Sequence, residues 1–338
     1  MADPLNLIPA ARREAARTAL AAALGARSVG GLQLLKGGVS GAQIWRVAAG
    51  GRYYVLRLEP ERIAPQHRQR GYAGMSAAAA AGVSPQLHYA DPDAGVAFMD
   101  LVAGRPLSEH PDGSAGLVRE LGGLVARVQA TPPFPWLTDS EDLIATVLAA
   151  LRASGLFAPG LLDPHADGLA RIRAAYPWDA AAAVSSHNDP NPRNMLFDGL
   201  RVWLVDWELA CRNDPLFDIA ILTLDLAATP ELEDMLVAAA LGRPSDPALR
   251  ARLAVTRLLA RLFYGCIALE AFAGAPRDAP ETSLEAQTPA GFLRAAAEGR
   301  FEGDGSAIAW SFGKMSLAAF VAGLSAPGFE AALQLARP

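Results

Sequence analysis

Cysteine is nearly absent from this chain of 338 residues: only Cys211 and Cys266 occur, far apart and in no metal-ligand spacing. That excludes a disulfide framework and a zinc site, and it fits a reducing cytoplasm. Lysine is nearly absent as well, present only at Lys36 and Lys314 although Lys and Arg together number 30. Any site that ordinarily employs a lysine must here use one of these two, or an arginine. No dense basic stripe occurs and the formal net charge is -5, so a nucleic-acid partner held by phosphate neutralisation is excluded. No long apolar segment opens the chain and no run is read as long enough to span a bilayer, so neither export nor a membrane partner is expected. What is present, 51% hydrophobic and 19% charged residues, suits a packed globular core.

After an amphipathic N-terminal stretch, 31–36, 43–48 and 53–58 read as short strands separated by the glycine pairs Gly37-Gly38 and Gly50-Gly51. An Ala-rich helix over 66–81 is expected to end at Gly82, and 86–89 and 96–99 give two more strands. From Leu107 the pattern is mostly helical, over 116–128, 140–153, 216–228, 248–273 and 306–324. One island of short strands, at 184–186, 195–197 and 202–205, interrupts it and presents polar residues at strand ends. The expected organisation is α+β and two-lobed: residues 1–100 as a small lobe with an antiparallel sheet and a leading helix (1–27), 101–104 as a hinge, and 105–338 as a larger, mainly helical lobe.

The informative stretch is His187-Asn188-Asp189-Pro190-Asn191-Pro192-Arg193-Asn194, followed by a hairpin and Asp206-Trp207-Glu208. Phosphoryl transfer from ATP needs a carboxylate that orients the acceptor hydroxyl and takes its proton, and hard oxygen ligands for Mg²⁺. Asp189 suits the first task, Asn194 and Asp206 the second. Any one of these residues alone reads more simply as a turn or cap residue; the ordered set carries the inference. Upstream, Lys36, Gly37, Gly38, Ser40 and Gly41 form a glycine-rich connection whose backbone N–H groups suit ATP phosphates, although alone it is equally a plain β-turn.

The order and spacing of His-Asn-Asp, x-x-x-x-Asn and Asp-Trp-Glu resemble the aminoglycoside phosphotransferase and choline kinase superfamily, relatives of protein kinases. The resemblance covers roughly 34–228 and implies a protein-kinase-like fold, ATP and Mg²⁺ as cofactors, and a small-molecule hydroxyl as acceptor. It implies Asp189 as catalytic base, Asn194 and Asp206 as metal ligands, His187 and Asp218 as structural residues, and Arg57 in place of the usual strand lysine. Met99, Asp100 and Leu101 would meet adenine. One departure stands out: the helix position that often bears a Glu partner for the strand cation is Gly71, and no acid lies between Arg62 and Val83. Arg57 is then expected to find another carboxylate, such as Glu59 or Glu61, or the nucleotide end has drifted.

Asn188 and the Asp206-Trp207-Glu208 run lean toward the choline and ethanolamine kinase-like branch. Trp207, Glu208, Tyr264, Glu270 and Trp310 are candidate substrate contacts for a quaternary ammonium group, although Tyr264 and Trp310 lie in apolar helical stretches where core packing is the simpler role. Aminoglycoside, thiamine or other small-alcohol kinases are the alternatives of the same mechanism. A catalytically silent nucleotide-binding or scaffold protein is the alternative of another class.

Overall fold

A computed structural model describes residues 4–25, 27–35, 41–60, 62–137, 142–227, 229–301 and 305–337. The chain divides into two compact units, one of Met1–Leu137, Val184–Arg212 and Asp225–Gly242, the other of Thr138–Ala183, Asn213–Leu224 and Arg243–Pro338.

The first unit opens with α1 (Arg13–Leu24), then β1 (Val29–Leu35), β2 (Gln43–Ala49), β3 (Arg52–Leu58), α2 (Pro65–Ala80), β4 (Leu87–Asp91), β5 (Val96–Asp100) and α3 (Gly113–Gln129). The strands form one antiparallel sheet in the order β1-β2-β3-β5-β4. Alternation along β2 and β3 sends Trp45, Val47, Tyr54, Leu56 and Leu58 into a core shared with Ala16, Leu20 and Leu24 of α1. The same alternation puts Arg57 on the opposite face. The α2 helix starts on Pro65, where a missing N–H costs nothing. It ends before Gly82, whose φ of 66° turns the chain so that Val83 N–H reaches the Ala78 carbonyl at 2.9 Å.

Next come α4 (Leu143–Ala153) and α5 (Asp163–Ala175) of the second unit. The strand island follows in the first unit: β6 (Val184–Ser186), β7 (Met195–Phe197), β8 (Val202–Leu204) and β9 (Cys211–Asn213), with β7 and β8 an antiparallel hairpin and β9 paired with β6. Then α6 (Phe217–Asp225), α7 (Pro230–Leu241), α8 (Pro247–Glu270), α9 (Pro289–Ala297), α10 (Gly305–Leu324) and α11 (Phe329–Ala336) complete the chain. Within the first unit α7 packs on α3, where a Cβ on Gly122 would lie 2.6 Å from the Ala239 Cβ. Within the second unit α8 packs on α10: Leu317 lies against Gly265, and Leu269 against Gly313.

The expected five-stranded sheet, the helix ending at Gly82 and the strand island are all present. Four helices were not anticipated: α5, α7, α9 and α11. Each begins at or near a proline or glycine that reads as a loop signal in the sequence. Pro230 and Pro289 are N-terminal helix residues capped by Thr229 and Thr288. A second correction concerns length: α10, at 20 residues, is long and apolar enough by composition to cross a membrane, whereas no such run was expected. Its alanines, glycines and serines, together with Lys314, dilute the apolar signal in the sequence.

Candidate active site

The chemistry-bearing residues of the first unit converge on the loop between β6 and β7 and on the segment after β8. The link between the two is Val205. Its N–H donates to the Asn194 carbonyl at 2.9 Å, and its carbonyl accepts from His187 Nε2 at 3.0 Å. The other imidazole nitrogen, Nδ1, accepts from the Asp189 N–H at 3.3 Å, so both ring nitrogens are committed and the proton sits on Nε2. His187 is fully buried and packed on Trp207 with ring centroids 4.5 Å apart.

Asp189 is oriented by two amides. Asn191 Nδ2 donates to one carboxylate oxygen at 2.7 Å and Asn194 Nδ2 to the other at 2.8 Å. Asn194 also holds the Asp189 carbonyl at 2.9 Å, while Asn191 Oδ1 caps the following turn through Arg193 N–H. Asn191 escaped the sequence reading; an Asn two residues after a carboxylate inside a proline-flanked turn was the available signal. Asn188 and Asp206 have positive φ, 63° and 67°, a conformation that Asn and Asp tolerate better than most residues and that glycine adopts freely. The buried Asn188 amide donates to the Leu209 carbonyl at 3.0 Å, so its side chain fastens the loop to the segment before β9.

Arg57 meets three carboxylates. It forms an ion pair with Glu208, and it lies 3.5 Å from both Asp206 and Glu59. Burial by itself lowers a guanidinium's pKa, but Asp206, Glu208 and Glu59 together outweigh it and raise that of Arg57. Glu59 is pushed up by its own burial, with Arg57 opposing. Glu59 was one of the two expected partners; Glu61 lies outside the described residues. Glu208, read from the sequence as a possible substrate contact, pairs with Arg57.

The helix that lacks an acid is closely apposed to this segment. A Cβ on Gly71 would lie 3.4 Å from the Trp207 carbonyl oxygen, and one on Gly74 would lie 2.9 Å from the Ala210 Cβ. Between them in role stands the buried Arg70, which donates to the carbonyls of Glu208 at 3.0 Å and Leu137 at 3.1 Å. Glycines therefore admit the 207–210 segment to the surface of α2, and the segment brings its own carboxylate to Arg57.

The remaining candidates are distributed as follows. Lys36, Gly37, Gly38 and Ser40 lie outside the described residues, and Gly41 has φ 77°. Asp100 donates its N–H to the Gln86 carbonyl at 2.9 Å and its carboxylate meets His88 Nε2 at 2.8 Å; Leu101 N–H faces the Tyr53 carbonyl at 3.4 Å and Met99 is half-buried in β5. Trp207 is buried between His187 and Phe134. Asp218, Tyr264, Glu270 and Trp310 belong to the second unit. There Asp218 is buried in the first turn of α6, Tyr264 contacts Phe263 and Phe312, and Trp310 stacks on Phe157 beneath Arg277. Glu270 is exposed at the end of α8.

A divalent cation of the Mg²⁺ type suits this donor set. Among the described residues no group of three or more His, Cys, Asp or Glu side chains could form an all-protein cage. Asn194, whose Nδ2 is spent on Asp189, keeps Oδ1 as a hard donor, and Asp206 adds carboxylate oxygens. Mg²⁺ characteristically takes one or two protein oxygens and completes its shell with water and phosphate.

A sequence profile of the phosphotransferase enzyme family matches residues 31–254. The protein LicA of Haemophilus influenzae is 43% identical over 51 residues, a match covering 15% of this chain and 19% of that protein. Among solved structures, a choline/ethanolamine kinase family protein from Mesorhizobium loti superposes over 96% of this chain and 99% of its own, with a TM-score of 0.65 and 23% identity. Choline kinase LicA from Streptococcus pneumoniae matches over 90% of this chain and 98% of its own, TM-score 0.61 and 14% identity. A LicA structure in complex with AMP covers 88% of this chain and 94% of its own, TM-score 0.56 and 14% identity. At these identities the structural likeness is one of fold.

Proposed function

The chain belongs to the phosphotransferase enzyme family, and from that membership we propose that it moves the γ-phosphoryl group of ATP, with Mg²⁺, to the hydroxyl of a small amino alcohol of the choline or ethanolamine class. The observation that carries the mechanism is the double amide grip on Asp189, by Asn191 at 2.7 Å and Asn194 at 2.8 Å. Each carboxylate oxygen has two acceptor positions, so both amides can be satisfied while one oxygen still accepts the substrate hydroxyl. As the substrate oxygen bonds to the γ-phosphorus, Asp189 takes its proton and the bond from that phosphorus to the oxygen of the departing ADP breaks.

Asn194 and Asp206 would hold Mg²⁺, which when bound supplies neutralisation of the phosphate charge. Arg57 is the phosphate cation, and a guanidinium can engage two phosphate oxygens at once. Its three carboxylate neighbours keep it charged and aimed. That arrangement supports an active nucleotide end despite Gly71 and favours it over a silent scaffold. Met99 to Leu101 and the 36–41 connection complete the nucleotide contacts in this proposal. The choline or ethanolamine choice leans on the full-length fold likeness to kinases of that class and on the Asp206-Trp207-Glu208 run.

The test is coupled ADP release with Mg²⁺ and ATP across choline, ethanolamine, thiamine, sugars and aminoglycosides, with Asp189→Ala as the blank. Stimulation by choline or ethanolamine that vanishes in the blank supports the reading. Stimulation by another acceptor alone replaces the substrate class, and ADP release unaffected by Asp189→Ala sinks the mechanism.

A further inference from the structure

Away from the catalytic loop, the first unit has an open cavity of about 590 Å³ lined by three arginines and one acid, with Arg119 and Arg127 exposed at its rim. Arg119, Gly123 and Arg127 recur every four residues and so share one face of α3. Gly82, just past α2, and Arg201, just before β8, supply the facing wall. We propose that this cavity binds a small soluble phosphate anion, a pyrophosphate or a phosphate ester, at a site distinct from the catalytic residues.

The charge balance points to an anion. Three arginines gather here in a chain whose net charge is -5. The single acid in the lining, Glu120, has both oxygens engaged: one accepts the Val202 N–H at 2.6 Å and the other meets His110 Nε2 at 3.1 Å. Among the described residues, neither Arg119 nor Arg127 makes a hydrogen bond or a salt bridge, whereas Arg201 is held in place by the Gly82 carbonyl and by the Trp203 ring 3.7 Å away. Burial, and then the neighbouring charge of Arg201, lower the pKa of Arg127, with Glu120 opposing. An incoming anion relieves that repulsion.

The floor of the cavity, at Gly123, adds to this reading. A glycine inside a helix costs about 1 kcal/mol relative to alanine and calls for a reason. For Gly122 the reason is α7, since a Cβ there would strike the backbone and side chain of that helix. For Gly123 packing supplies none, because a Cβ there would meet nothing within 4 Å. The open space lies between Arg119 and Arg127. The volume falls in the range of small-molecule sites, about 300–1,000 Å³, and guanidinium forks match phosphate oxygens in pairs.

Calorimetric titration of the full chain with pyrophosphate at fixed ionic strength tests this. The wild type is compared with the double variant Arg119→Gln/Arg127→Gln and with Gly123→Leu, which fills the floor, keeps all three charges and favours the helix. One binding event of the wild type should weaken about tenfold or more in both variants, the loss of at least one charge-assisted bond. An isotherm unchanged in the double variant or in Gly123→Leu overturns the proposal, as does a wild type that binds no pyrophosphate. Capture on phosphatidic acid vesicles without binding of free pyrophosphate overturns it too, since the source would then be a membrane surface.

Discussion

Arg57 and Glu208 form an ion pair that joins the middle strand of the sheet to the segment just beyond Asp206. A carboxylate on α2 would be the local way to hold such a cation, but that helix presents Gly71 and Gly74 to the 207–210 segment and contributes Arg70, which grips the Glu208 carbonyl. The acid has moved from the helix to the loop that the helix supports. Nucleotide binding and the position of Asp206 are therefore expected to be coupled through Arg57, which lies 3.5 Å from that carboxylate.

Replacing Glu208 with Gln should raise the dissociation constant for Mg·ATP several-fold while Asp189-dependent chemistry persists, because Glu59 and Asp206 still flank Arg57. Arg57→Ala should weaken nucleotide binding more, by about tenfold or more, the order expected for a charge-assisted contact. Titration of both variants with Mg·ATP checks this. Unchanged binding in Arg57→Ala would transfer the phosphate contact to Lys36.

Asp189→Ala should lower kcat by about a hundredfold to ten-thousandfold, the usual contribution of a positioned general base, with Mg·ATP affinity and unfolding midpoint near the wild type. Asn191→Ala frees one carboxylate oxygen of Asp189 and should give a smaller loss, in kcat rather than in nucleotide KM. Steady-state kinetics of the two variants distinguish base from orienter.

Gly74→Val places branched atoms where a Cβ already comes within 2.9 Å of Ala210. Overpacking of this kind costs about 1–3 kcal/mol, and the displaced segment is the one that carries Glu208. Urea unfolding should show the loss of stability, and Mg·ATP titration a parallel loss of affinity. A variant that unfolds at the wild-type midpoint contradicts the close packing of α2 on this segment.

His165, fully buried on α5 against Phe320, donates from Nε2 to the Leu317 carbonyl at 3.2 Å, and burial lowers its pKa to about 4. The unfolded imidazole titrates near 6.5, so the unfolded chain takes up the proton first as pH falls. Its contribution to stability is complete above about pH 6.5 and is lost between there and about pH 4. From about pH 7 to about pH 5 the loss should be about 2 kcal/mol. Urea midpoints at the two pH values, for wild type and His165→Gln, check it: the variant should lose most of the difference.

Much of the site was legible because its residues are close in the chain and their spacing has a mechanical reason. His187, Asp189, Asn194 and Asp206 flank a hairpin whose register pairs Met195 with Leu204, so Asn194 and Val205 must meet. The sheet was legible from strand alternation and glycine turns, and the end of α2 from Gly82. Those are local rules, read along the chain without knowledge of what packs against what. The partners of Arg57 were a different matter. Asp206 and Glu208 lie 149 and 151 residues away from it, and no periodicity links them. Gly71 could signify a missing partner or a close approach with equal ease. By itself, then, the sequence determined the order of the five strands of the sheet and the spacing of the candidate catalytic residues. Only the tertiary structure decided which carboxylates neutralise Arg57 and which glycines are filled by a neighbour, because both depend on through-space distances between segments that the chain keeps far apart.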